Sequence, residues 1–393
     1  MYNFDQIIDR KGTNCEKYDF AVENGKPEGL LPLWVADMDF CVPEEVKESL
    51  HRAVDHGIFG YTEAKSDYYE AAAEWFAQHF GWRPQQEWLV RTPGVVFAIA
   101  TAIRAFTSEG DSVLIQQPVY YPFAGMVQKN KRNLVVNPLV YTHGRYRMDF
   151  EDFEQKIVKN KVELFVLCSP HNPVGRVWSR EELKQVGDIC LRHNVLVVSD
   201  EIHCDFTYPG HPHTVFASMG KEFADNSIIC TAPSKTFNMA GLQVSNIWIP
   251  NGEKKKAFAD EMERCGYFSL NQLGIAACEA AYRHGGQWLS ELKEYLKGNL
   301  DFMREYLEKE LPRIRLVEPE GTYLVWLDCS GLGMTCEELE QFIVEKAGLW
   351  LDGGDMFGIG GEQFQRVNIA CPRSILRQAL DRLKAAVDDL QII

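Results

Sequence analysis

The sequence predicts an α/β protein: a mostly parallel sheet covered by helices on both faces, joined to a smaller α+β domain. Three observations carry this reading. From about residue 90, short β-branched runs alternate with stretches of helical periodicity. The runs are apolar throughout, as strands buried on both faces are, and do not alternate apolar with polar. Near residue 288 the texture changes, and the chain's 393 residues suit a large domain with a smaller companion.

Taken in order, residues 1–45 are loop-rich and are expected to pack with the small domain. Residues 46–288 form the large domain. Residues 43–56 and 67–80 read as helices, with Pro43 in a first turn, Ser66 as an N-cap and Gly81 closing the second helix. The strand runs are DSVLIQ (111–116), NLVVNPL (133–139), VELFVLC (162–168), NVLVVSD (194–200), NSIICTA (226–232) and VSNIWI (244–249). Helical segments such as 149–159 and 179–193 lie between them. Residues 289–393 form the small domain: a long helix pattern beginning at WLSELKEYL, then TYLVWLD, a helix from about 335 and the strand RVNIAC (366–371).

Composition excludes several partners. A formal net charge of −15 repels phosphate backbones and anionic membranes, so nucleic acid is not expected to bind. The triplet Lys254–Lys256 is too short to reverse that and reads as a solvated helix face. No apolar run approaches the ~18 residues that span a bilayer. The 11 cysteines contain no Cys-x-x-Cys pair, and MYNFDQIIDRKG has no signal-peptide character, which points to a reducing cytoplasm. His203, Cys204, His211 and His213 lack the spacing of a zinc site, so no metal is expected.

In open α/β sheets, ligands bind beyond the carboxyl ends of the strands. Asn172 follows the 162–168 run in SPHNPVG, Asp200 ends the next in SDEIHCDF, and Lys235 follows the 226–232 run in APSKTFN. Gly94, Val95 and Val96 open a helix in TPGVVFAIATAI, and Tyr120 and Tyr121 stand side by side in PVYYPF. Each has an ordinary explanation alone: a turn, a cap, a helix entry, a core ring. Together they match the needs of pyridoxal phosphate. That cofactor wants a lysine for its Schiff base, an acid for its pyridine nitrogen, a flat side chain over the ring and a helix N-terminus for its phosphate.

The segments SPHNPVGRVW, SDEIHCDF, APSKTFNMAGL and RVNIACPR resemble the fold-type I aminotransferase superfamily across almost the whole chain. LPLWVADMDF, PVYYPF and APSKTFN narrow the resemblance to C–S lyases of the MalY/PatB type, the cystathionine β-lyases of the aminotransferase class. The resemblance implies a seven-stranded large-domain sheet, pyridoxal 5'-phosphate and a homodimer with shared active sites. It makes Lys235 the Schiff-base lysine, Asp200 the pyridinium partner, Asn172 a donor to the phenolic oxygen and Tyr120 the stacking ring. Ser234 would reach the phosphate, joined by Tyr61 of the neighbouring subunit. The substrate would meet Arg373 at its α-carboxylate, with Ala36, Tyr121 and Asn172 around it. His203 stands where relatives carry tyrosine and belongs to the cofactor site without an assigned contact. Gln243 stands where many relatives place a cation on the phosphate.

The implied reaction is α,β-elimination from L-cystathionine or a related β-thio amino acid, giving a thiol, pyruvate and ammonia. Its rivals are an aminotransferase of the same class and a regulatory protein that binds the cofactor without turnover. The glycine-rich stretch 352–363 does not sit between a strand and a helix of a βαβ unit, so it is not a dinucleotide motif. A flexible loop near the mouth of the site is the expectation there.

Overall fold

The computed structural model describes residues 2–390. The large-domain helices that position the site are α1 (Glu44–His56), α2 (Ser66–Phe80), α3 (Val95–Phe106) and α4 (Arg180–Arg192). The strands of the large sheet are β1 (Leu89–Thr92), β2 (Ser112–Gln117), β3 (Asn133–Pro138), β4 (Val162–Cys168), β5 (Leu196–Asp200), β6 (Ser227–Thr231) and β7 (Ser245–Trp248). They form one seven-stranded sheet in the order β1-β7-β6-β5-β4-β2-β3. Strands β2 to β6 run parallel, while β7 is antiparallel to both β1 and β6.

The direction of β7 has a local cause. A parallel return usually runs through a helix laid across one face of the sheet. The link from β6 instead folds into a four-residue helix, Pro233–Thr236, and a short 3-10 turn, Ala240–Leu242. The chain therefore doubles back, and the tight connection carries Lys235. The short edge strand β1 was not among the expected runs.

The central strands are buried on both faces, as their unbroken apolar runs required. One face packs on Ile99, Ile103 and Phe123, the other on Phe153, Trp178 and Trp248. Helix α4 begins with a reciprocal capping box: the Ser179 hydroxyl accepts from the Glu182 amide, and the Glu182 carboxylate accepts from the Ser179 amide. The expected serine cap of α2 is absent, since Ser66 is already helical and Lys65 occupies the cap position without a side-chain bond. Gly81 does close that helix in the left-handed conformation, at φ 63°.

The long helix α5 (Gly286–Glu310) leads into a four-stranded antiparallel sheet of β8 (Arg315–Val317), β9 (Leu324–Asp328), β10 (Asp352–Gly353) and β11 (Phe364–Asn368), in the order β8-β9-β11-β10. A helix that sequence reading did not mark, α6 (Arg373–Leu390), closes the chain. The N-terminal stretch joins this region through Leu31–Pro32, paired in parallel with Leu349–Trp350. The glycine-rich stretch is an ordered turn tied to the large domain. The Val119 amide donates to the Phe357 carbonyl (3.0 Å) and the Ile359 amide to the Gln117 side chain (3.1 Å). Gly354 and Gly361 pack backbone to backbone, so closely that a Cβ on either would lie 1.9 Å from a carbonyl oxygen of the other. Among the described residues no helix is long and apolar enough to cross a membrane.

Candidate active site

Register brings the key residues together. Asp200 pairs with Cys168 on one side and Cys230 on the other, so the ends of β4, β5 and β6 are level. The turns that follow carry Asn172 and Lys235 over that edge. They enclose a cleft of about 210 Å³ whose lining includes Gly94, Val95, Val96, Tyr120, Asn172, Asp200, His203, Ser234 and Lys235. Ala36 reaches the same cleft from the N-terminal stretch.

Lys235 is partly buried, and its amine donates to the Ala36 carbonyl at 2.8 Å. Enclosure by protein pushes the amine down to about 8; Asp37 and Asp200 oppose that push, and Arg366 adds to it. Asp200 is buried, accepts one bond from the Ile202 amide (3.0 Å), and burial raises its carboxyl to about 7. A carboxylate so enclosed, with one N–H for a partner, is short of a cation. At the other end of the cleft, helix α3 starts at Val95 behind Gly94. The amides of its first turn have no partner within the helix and face a site that suits an anion.

Asn172 is buried and its side-chain oxygen accepts from Arg366 at 3.0 Å, which leaves its NH₂ as the group it can offer a ligand. Arg366, on β11, also donates from Nη2 to the Trp34 carbonyl (2.9 Å) and to Asp352, and its Nε has no partner. Three of its N–H groups are thus engaged of the five an arginine carries, and its Nε–H is buried without a partner. The His203 ring is buried beside Tyr323, its Nδ1 is without a partner, and burial holds it down to about 3, a neutral imidazole.

The match to known proteins runs the length of this architecture. The family model for aminotransferase class I and II covers residues 29–383. The chain belongs to that family. Within it the chain falls in the MalY/PatB-type branch. It is 46% identical over 385 residues to cystathionine β-lyase PatB of Bacillus subtilis, covering 98% of this chain and 100% of the relative. It is 31% identical to protein MalY of Escherichia coli, with 98% and 99% covered. The crystal structure of cystalysin from Treponema denticola, which contains a pyridoxal 5'-phosphate cofactor, superposes with a TM-score of 0.96 at 37% identity, covering 99% of this chain and all of that one.

Against this family pattern, two expected residues lie elsewhere. Arg373 is outside the cleft. Its Nε donates to Asn299 at 2.5 Å, and its guanidinium lies over the rings of Tyr295 and Phe302 on α5. It opens α6 and does not line the cleft, whereas Arg366 is bound to Asn172 in the cleft wall. Both arginines belong to RVNIACPR. The informative signal was a charged residue inside a strand buried along its whole length, where charge is rarely left without a purpose. Tyr61, in turn, is fully exposed in this subunit and touches nothing in its own cleft.

The remaining residues fill in the walls. Tyr121 sits at the rim, 5.3 Å from the Tyr120 ring and 6.0 Å from Phe357. Gln243 is exposed and does not line the cleft. Sequence reading missed Tyr323, whose hydroxyl donates to the Ala36 carbonyl at 3.1 Å, and Asp352, which anchors Arg366. Among the described residues no group of three or more His, Cys, Asp or Glu is placed to hold a metal. His213 is instead bound to Glu201 at 2.8 Å.

Proposed function

We propose that this chain is a pyridoxal phosphate-dependent C–S β-lyase that cleaves L-cystathionine or related β-thio amino acids to a thiol, pyruvate and ammonia. One observation carries the proposal. A single cleft joins a lysine amine pushed to about 8, a buried carboxylate short of a cation and a helix N-terminus, and Arg366 is bound to Asn172 in its wall. The cofactor's aldehyde, pyridine nitrogen and phosphate fit the first three, and a substrate carboxylate fits Arg366. The 46% identity to PatB, a cystathionine β-lyase, supports the choice of reaction within the family.

Bound there, pyridoxal phosphate supplies an electron sink for the charge left when an amino acid loses its Cα proton. Lys235 is the base for that proton, since an amine pushed down to about 8 gives up its proton far more readily than an ordinary lysine. Asp200 would hold a proton on the cofactor's ring nitrogen. Arg366 receives the α-carboxylate through its free N–H groups, and Asn172, Trp34 and Asp352 fix its orientation. Tyr120 walls one side, Asn172 offers its NH₂ to an oxygen, and Ser234 with the first turn of α3 receives the phosphate. His203, held neutral, can accept or donate without adding charge beside Lys235.

The same reading includes a homodimer. The loop after α1 exposes Ile58, Phe59 and Tyr61 together, an apolar group with no cover in one subunit. A second copy seated there would place Tyr61 at the neighbour's phosphate, where Gln243 supplies no charge. All 11 cysteines are unpaired, which supports a cytoplasmic setting.

The test is product analysis with cystathionine, cystine and alanine, with and without a keto acid. A lyase forms pyruvate from the sulfur substrates with no acceptor. Turnover that depends on the keto acid makes the chain an aminotransferase, and no turnover with cofactor bound makes it a sensor.

A further inference from the structure

A second pocket lies outside the cleft, and at about 510 Å³ it is larger than the 210 Å³ of the cleft itself. It opens where the two domains meet. One wall is the segment after β5, with Phe206, Tyr208, Pro209 and Pro212; the other is helix α5, with Leu296 and Lys293. The first wall is stitched to the small domain: the Thr322 amide donates to the Phe206 carbonyl (2.8 Å) and the Tyr208 amide to the Glu320 carbonyl (2.9 Å).

The charges around it are unequal in their partners. Lys297 pairs with Asp301 at 2.6 Å, His211 faces Glu320 at 3.9 Å, and Glu294 is exposed at the rim. Lys293 is half-buried and has no carboxylate within ion-pair distance among the described residues. Burial lowers its amine, with Asp205 behind it as the chief opposing charge. An ammonium set among apolar walls without a partner is costly unless an anion arrives. With one free cation and apolar walls, the fitting anion carries one charge on an apolar body.

The pocket also backs onto the catalytic turn. The Asp205 carboxylate accepts from the Thr236 hydroxyl (2.6 Å), next to Lys235, and from the Trp75 indole (3.0 Å). It lies two residues beyond His203, which lines the cleft. An anion on Lys293 would change the field at Asp205 and hold α5 against the 206–212 segment.

We propose that this pocket is a regulatory site for a small monocarboxylate with an apolar body, bound through Lys293. The proposal stands whichever reaction the cleft performs. The test is equilibrium titration of the full-length holoenzyme with butyrate, hexanoate and 3-phenylpropionate, followed by calorimetry. Affinity should rise with apolar size, fall at least about tenfold in Lys293→Met, and persist in Lys293→Arg and Arg366→Lys. The uncharged 3-phenylpropanamide should not bind. Binding that survives Lys293→Met, that disappears with Arg366→Lys, or that the amide reproduces overturns the site. So does the absence of saturable binding by roughly 10 mM for the whole series. For the regulatory role, the carboxylate should shift the affinity of an amino-acid ligand of the cleft several-fold, and that ligand should shift carboxylate affinity by the same factor. Independent binding at the two sites overturns that role.

Discussion

Two lysines, one in the N-terminal stretch and one in the turn after β6, lean on the same four residues, Ala36 to Asp39, and are treated in opposite ways. Lys17 is fully enclosed, and its ammonium lies 2.8 Å from Asp39 and 3.8 Å from Asp37. Arg10 braces the same pair of carboxylates, 2.7 Å from Asp39. Lys235 has only the Ala36 carbonyl at 2.8 Å, and its amine is pushed down to about 8. A buried amine given carboxylates makes ion pairs that tie the N-terminal stretch together. One given a carbonyl can lose its proton, which is what a base must do.

The largest expected effect separates these roles. Lys235→Ala should lower kcat by roughly 10⁴-fold or more, about 5 kcal/mol on the barrier, without lowering the unfolding midpoint. Lys17→Ala should instead cost about 3–5 kcal/mol of stability, because the buried carboxylate of Asp39 loses a partner. Denaturant titration and turnover per folded molecule measure both. A stable Lys17 variant with a crippled kcat would erase the distinction.

The comparison also shows what could be read from the chain. Strands β2 to β6 were legible because burial on both faces demands unbroken apolar runs. Asp200, Asn172 and Lys235 were legible because such strands end at the site. Lys17 and its carboxylates were not, since a loop-rich stretch has no periodicity and the pairing is set by the fold. Nor could side-chain types announce that the partner of Lys235 is a backbone carbonyl. Arg366 fell between these cases: its strand was read, but its partners Asn172 and Trp34 are 194 and 332 residues away in sequence. The resemblance alone then favoured Arg373, which the structure places at the start of α6, packed against α5.

A second prediction sharpens the contrast through pH. The Lys235 amine lies near 8 when folded, against an ordinary 10.5 when unfolded. Above the ordinary value it is neutral in both states and costs nothing. As pH falls through 8, the folded chain carries a charge that it disfavours. Relative to Lys235→Met, the cofactor-free protein should therefore gain about 3 kcal/mol of stability between roughly pH 8 and 10.5. A flat difference across that window would mean that the amine is not depressed.

The two arginines allow the same test at the small-domain wall. Arg366→Lys should raise the substrate KM about 100-fold, roughly 2.7 kcal/mol, since an ammonium cannot reproduce a two-pronged guanidinium contact. Arg373→Lys should leave KM within about twofold and show its effect in stability, through lost contact with Asn299, Tyr295 and Phe302. The reverse pattern would restore Arg373 to the substrate.

The smallest effect concerns the residue that this subunit leaves in water. If Tyr61 serves the neighbour's phosphate, Tyr61→Phe removes one hydroxyl donor to an anion and keeps the ring, so the dimer persists. Cofactor affinity should fall about tenfold, near 1.4 kcal/mol, within the range for a hydrogen bond to a charged group. Mixing that variant with Lys235→Ala, at a cofactor concentration that leaves the Tyr61→Phe parent largely empty, adds a second test. If the two residues come from different subunits in each site, a heterodimer has one site with both defects and one with neither. Activity on a β-thio amino acid should rise above that of either parent. Proven heterodimers that gain nothing would place both residues in one subunit's site, and a fully active monomer would remove the shared site altogether.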